Sequence, residues 1–200
     1  MRSFIGQLAG VLGDEKPVSN SVLFLVIEVF LVATSAQSVI LVGMPGVGKS
    51  TLGVLLAKEL GMEFVDTDLT IQTREGKTLQ EIMDERGYLA LRDVEEQVLL
   101  EMSFHSTKVV ATGGSAVYSE PGMNNLKRYA KVVYLSLSLD ALRGRIHNYE
   151  NRGIARAPGQ SFESLMEERT ELYKKFADIE INCEGKTPQQ CLMAILKALK

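Results

Sequence analysis

The chain has 200 residues, 46% of them hydrophobic, which suits one α/β domain with an appended segment and a real buried core. Its 22 basic and 25 acidic side chains give a formal net charge of −3, so the overall balance points to neither nucleic acid nor an anionic membrane surface. The two cysteines, Cys183 and Cys191, form no C-x-x-C pair, which speaks against a disulfide framework or zinc site and for incidental thiols in a reducing cytosol.

Residues 1–37 read as an N-terminal extension. Within it SVLFLVIEVFLVATSA, Ser21 to Ala36, is strongly apolar but carries Glu28. It is shorter than the roughly 20 apolar residues of a membrane span. The expectation is a helix or strand packed on the domain or a partner; a membrane anchor or signal, or a disordered leader, are the alternatives.

From residue 38 onward strand and helix signals alternate, predicting a parallel sheet of about five strands with helices on both faces. Ser38–Val42 reads as a buried strand, followed by a helix over Lys49–Leu60 with Gly61 at its C-cap. Between them Gly43-x-x-x-x-Gly48-Lys49-Ser50 is a P-loop pattern. Its glycines let successive N–H groups turn inward on phosphate oxygens, and the helix adds its positive end. Lys49 then reaches the β and γ phosphates and Ser50 is placed to ligate Mg2+. The expected ligand is ATP with Mg2+.

Glu63–Val65 predicts a short strand ending at Asp66. If it runs on, Asp66 and Asp68 share a face, one carboxylate holding Mg2+ through water and the other taking a proton from a substrate hydroxyl. A strand-end Asx turn with a helix N-cap is the plainer alternative. Leu69–Arg74 and Thr78–Gly87 predict short helices, and Leu91–Ser103 a longer one. In that stretch Arg92 and Glu95 stand at i and i+3, spaced to pair. Arg92 could instead lie on a solvated face or present its fork to a carboxylate. Lys108–Thr112 predicts a strand ending in Gly113-Gly114, either a site of close ligand approach or a tight turn. Further on come a helical piece at Asn124–Tyr129, a strand at Lys131–Leu135, helices at Ser138–Tyr149 and Phe162–Phe176, a strand at Ile179–Asn182 and a helix at Pro188–Leu199.

The order of these motifs resembles the shikimate kinase family from about Val39 to Lys200. That family carries G-x-x-G-x-G-K-[ST], D-[ST]-D, G-E-x-x-F-R-x-x-E, a triple-glycine turn, a lid with R-P-L-L, and an arginine ahead of P-L-Y. The chain has GMPGVGKST, Asp66-Thr67-Asp68, GYLALRDVE with Gly87, Arg92 and Glu95, then Gly113-Gly114-Ser115, and Arg169 ahead of Leu172-Tyr173. It departs from the pattern at Tyr88, Leu91, Ser115 and in the lid. There NRGIARAPG offers Arg152-Gly153-Ile154 or Arg156-Ala157-Pro158 for the family's R-P-L.

The resemblance implies a P-loop kinase fold over residues 38–200 with a lid near 148–162. It implies nucleotide binding by Gly43, Gly46, Gly48, Lys49, Ser50, Thr51 and Arg145, with the NCEGKTP loop beside adenine and metal contacts from Ser50 and Asp66. Lys49, Asp68 and Arg152 are the implied catalytic residues. Asp68, Arg92, Gly113, Gly114 and Arg169 are the implied acceptor contacts, the two glycines through backbone N–H groups. The implied activity is ATP-dependent phosphorylation of shikimate to shikimate 3-phosphate, in aromatic amino acid biosynthesis, by a cytoplasmic monomer. Two other readings stand beside it. One is a sibling kinase acting on a sugar acid or another alcohol. The other is a nucleotide-binding or membrane-tethered module with weak catalysis, which the apolar N-terminus alone supports.

Overall fold

A computed structural model of the chain describes residues 37–145 and 153–200. The expected extension over residues 1–36, the end of the helix expected to Tyr149, Arg152 and the lid residues before 153 lie outside these.

Strand β1 (Ser38–Val42) is buried at all five positions, as expected of a strand covered on both faces. Helix α1 (Lys49–Leu60) follows, ending on Gly61 in the left-handed region with its N–H returned to the last turn. Strand β2 (Glu63–Asp66), helix α2 (Thr67–Glu75) and the long helix α3 (Leu79–Glu101) come next. Then follow β3 (Lys108–Ala111), a 3-10 turn (Ala116–Tyr118), α4 (Glu120–Lys127) and β4 (Ala130–Ser136). The chain closes with α5 (Leu139–Arg145), α6 (Phe162–Phe176), β5 (Ile179–Asn182) and α7 (Pro188–Ala198).

The strands form one sheet in the order β2-β3-β1-β4-β5, all pairs parallel. Central β1 pairs Val39 with Val109 on one side and Ser38 with Ala130 on the other. The chain winds outward in both directions from it, so a crevice opens beyond its carboxyl end. The main core gathers Ile40, Leu41, Leu56, Leu99, Val132 and Leu165 around the sheet. A smaller cluster, Ile71, Ile82, Leu91, Val98 and Ala155, ties α2 and α3 to the chain just after the undescribed lid residues.

Three local expectations are corrected. The strand does not extend to Asp68; it stops at Asp66, whose carboxylate caps α2 by accepting from the N–H groups of Asp68 and Leu69. That is the Asx-type alternative, and it starts α2 two residues earlier than Leu69. The helices expected at Thr78–Gly87 and from Leu91 are joined into α3 across a kink, with Gly87 at φ 83, ψ 165. The piece expected from Asn124 starts instead at Glu120, because the Ser119 hydroxyl accepts from Gly122 N–H and Pro121 suits the first turn.

Candidate active site

The turn after β1 closes on itself through glycines. Gly43, Gly46 and Gly48 have φ of 146, 83 and 108°. A Cβ on Gly43 would stand 2.6 Å from the Leu135 carbonyl oxygen, so position 43 has no room for a side chain. The Lys49 Nζ folds back to donate to the carbonyls of Gly43 (2.8 Å) and Met44 (3.1 Å). Burial pulls its pKa down to about 8, against the opposing pull of Asp68.

Lys49 lines a cavity of about 370 Å³ at the carboxyl end of β1. Gly46, Gly48, Ser50 and Thr51 line its nucleotide side, and Arg145, whose Nη1 donates to Val47 O at 3.2 Å, stands among them. Positive helix end, buried cation and backbone cradle make this a fit for a polyphosphate. The Ser50 hydroxyl and the nearby carboxylates are hard oxygen donors of the kind Mg2+ takes. Among the described residues there is no cluster of three or more His, Cys, Asp or Glu that could hold a metal ion. Asp66 does not line the cavity; with one oxygen committed to the cap, its reach to a cation would pass through water.

Asp68, Gly114 and Arg169 line the same cavity, with Ile71, Leu91 and Glu95. Burial raises the Asp68 pKa above its ordinary 3.8, Lys49 opposing and Asp66 adding to the rise. Glu95, 3% exposed, is pushed up to about 7 by burial and by Asp68, while the Ser115 hydroxyl that donates to it at 2.5 Å pulls the other way. A Cβ on Gly113 would lie 2.2 Å from Glu95 Oε1 and 2.6 Å from Asp68 Oδ1, so both carboxylates rest against this glycine.

The Gly113 N–H donates to Thr67 Oγ1 at 2.8 Å, and Gly113 is not among the residues lining the cavity. Gly114 is the glycine at the cavity. Its carbonyl accepts from Tyr173 at 2.7 Å, and a Cβ on it would meet Pro45 and Arg169 within 2.9 Å. Arg169 is 1% exposed; its Nη2 donates to Ala155 O at 2.5 Å, joining α6 to the lid stretch.

Arg92 and Glu95 do not form the ion pair that their spacing allows. Glu95 turns to Ser115, and the Arg92 guanidinium lies 3.5 Å from the ring centre of Tyr118 and 5.1 Å from that of Tyr88. Gly153, Ile154 and Ala155 line the cavity, whereas Arg156 Nη1 donates to Gln160 O. Sequence reasoning passed over Thr67, Tyr118, the Ser115–Glu95 bond and Gln80, whose Oε1 accepts from Gly153 N–H at 3.0 Å. The fixed hydroxyl between two aspartates was the one readable signal; the others depend on contacts across 20 to 73 residues of chain.

The family model described as Shikimate kinase matches residues 45–200. A shikimate kinase of Sulfurihydrogenibium is 35% identical over 82% of this chain and 98% of that protein. One from Pseudomonas putida is 36% identical over 82% of this chain and 96% of its own. Among solved structures, shikimate kinase from Acinetobacter baumannii in complex with shikimate is 30% identical, with a TM-score of 0.76, covering 82% of this chain and 93% of that one.

Proposed function

The chain belongs to the shikimate kinase family, and from that premise we propose how its own residues move the terminal phosphoryl group of ATP to a hydroxyl of shikimate. It is a phosphotransferase with an alcohol group as acceptor. One observation carries the assignment of roles: Lys49 and the P-loop line the same cavity as Asp68, Gly114 and Arg169.

In this reading the loop amides and Lys49 bind the phosphates. Lys49 then balances charge on the transferred group, which is where electrostatic catalysis of phosphoryl transfer is concentrated. Ser50 would hold Mg2+ and Asp66 would reach it through water; when bound, the cation supplies further neutralisation. Asp68, whose raised pKa marks it as a willing proton acceptor, takes the proton of the acceptor hydroxyl. Arg169 and Arg92 hold the acceptor carboxylate, and Gly114 lets the ring approach the backbone. Arg152 is assigned as the lid arginine because residues 153–155, not Arg156, reach the cavity.

A monomer is the oligomeric state assigned in this reading, and analytical ultracentrifugation would check it. Among the described residues no helix is long and apolar enough to cross a membrane. A cytoplasmic setting, where ATP is at hand, completes the reading.

The test is ADP release, coupled enzymatically, with shikimate, quinate, gluconate and neutral sugars offered in turn. Shikimate should be the preferred acceptor by a wide margin. Efficient phosphorylation of a neutral sugar with none of shikimate would overturn the carboxylate pocket while leaving the nucleotide side intact.

A further inference from the structure

We infer that Tyr118 is a positioning residue for acceptor recognition, holding the Arg92 guanidinium by its ring face in place of the carboxylate partner that Arg92 lacks.

The inference rests on the shikimate-kinase reading and deepens it. An arginine that binds a carboxylate through its fork must be held in orientation by something else. The spacing of Arg92 and Glu95 would let Glu95 do this, but in this chain the Glu95 carboxylate accepts from Ser115 instead. Arg92 is left with a buried Nε that makes no hydrogen bond. What it has is aromatic contact. Its Cζ is 3.5 Å from the Tyr118 ring centre and 5.1 Å from that of Tyr88. A guanidinium over a ring face is attracted by the ring quadrupole and keeps its N–H edge free for a ligand.

Tyr118 also connects the two arginines. The Arg169 Cζ is 5.5 Å from the same ring. Two buried or half-buried guanidiniums that share one ring repel each other, and their attraction to its π electrons lowers that cost. The Tyr118 hydroxyl lies near Arg169 and Glu168 but completes no hydrogen bond of ordinary geometry, and the Nε of Arg169 has no partner either. The Tyr118 ring thus stands against both guanidiniums, of which that of Arg169 belongs to the cavity lining, and an anion would match the Nε groups left unpaired.

Two departures from the family pattern therefore fall into one arrangement. Ser115, in place of glycine, takes Glu95, and Tyr88, in place of an acidic residue, joins Tyr118 around Arg92. Tyr118 sits at the end of the 3-10 turn that follows Gly113-Gly114, so the turn that admits the acceptor also carries the ring that aims the arginine.

The experiment compares wild type with Tyr118→Leu and Tyr118→Phe, with Tyr118→Met as a second non-aromatic variant should leucine fail to fold. KM for shikimate and for ATP are read separately, and shikimate binding is followed by calorimetry. Loss of the ring should raise the shikimate KM about tenfold, the size expected of one partly buried cation–π contact, with kcat and the ATP KM within about twofold of wild type. The phenylalanine variant should restore the shikimate KM, since the ring face is kept. In an Arg92→Lys background the leucine change should add little, because its effect passes through Arg92. An unchanged shikimate KM in the leucine and methionine variants overturns the inference. So does an equal rise in the phenylalanine variant, which would give the role to the hydroxyl, and so does an ATP KM that rises in step. Wild-type protein that neither binds nor phosphorylates shikimate would overturn the functional reading itself, a different result from wild-type turnover that Tyr118 does not influence.

Discussion

Lys49 donates to two backbone carbonyls and is pulled down to about 8 by burial. Its job requires the charged form. The free enzyme should therefore lose kcat/KM for ATP as pH rises through about 8, while kcat at saturating ATP should hold to higher pH, because bound phosphates favour the ammonium. Lys49→Ala should lower kcat by about 10²–10³-fold with the melting temperature preserved; near-normal kcat would remove Lys49 from the chemistry. Asp68 makes the complementary case. Asp68→Asn keeps the shape and cannot take a proton, so kcat should fall by roughly 10²-fold or more with ATP affinity unchanged. Should ATP binding fall equally, Asp68 serves the metal or the fold.

Secondary structure decides where these side chains stand. Helix α3 brings Leu91 and Glu95 to the cavity across a bend at Gly87, at φ 83 and ψ 165, a region that essentially glycine alone occupies. There is open space around Gly87, so an added methyl group would clash with nothing beyond its own backbone. Gly87→Ala should still cost on the order of 1–3 kcal/mol and loosen acceptor binding more than ATP binding; a variant as stable as wild type would show that the kink carries no strain. Such a kink explains what the sequence reveals and what it hides. The P-loop could be read because its pattern lies in consecutive residues, and the strands because buried parallel strands are continuously apolar, as in Ser38–Val42. Gly87 looked like a helix end, since a glycine at positive φ usually is one. Asp66 was readable as a metal residue or a cap, and the cap it does form, through Oδ1 alone, follows from where β2 stops. The partners of Arg92 and Glu95 were out of reach. Spacing gives which residues can meet on one helix, but Ser115 and Tyr118 arrive from another part of the chain and win both contacts.

Across the whole molecule, the carboxyl edge of the sheet concentrates buried charge: Lys49, Asp68, Glu95 and Arg169 all face one cavity. Such a site costs stability in the charge state that works. Glu95 shows the sign. Its folded pKa of about 7 lies above its ordinary 4.5, so the native state binds the proton more tightly than the unfolded chain. The stability that this contributes is complete below pH 4.5 and is lost as pH rises through about 7, a difference on the order of 3 kcal/mol. Asp68, also raised, works in the same direction. Lys49 runs the other way: its folded pKa of about 8 lies below 10.5, so stability is regained as pH rises between these values. Glu95 and Lys49 together place a trough of stability near pH 7 to 8, where Lys49 still holds much of the charge that phosphoryl transfer requires. Activity and stability are thus set against each other by the same buried groups. Thermal melts of the wild type from pH 5 to 8 should show a falling melting temperature. Glu95→Gln, which keeps the size and the contact with Ser115 but cannot ionise, should remove most of that fall and melt higher than wild type at pH 7.5. Parallel curves for the two proteins would mean that Glu95 stays ionised in the folded state throughout and that the trough has another origin.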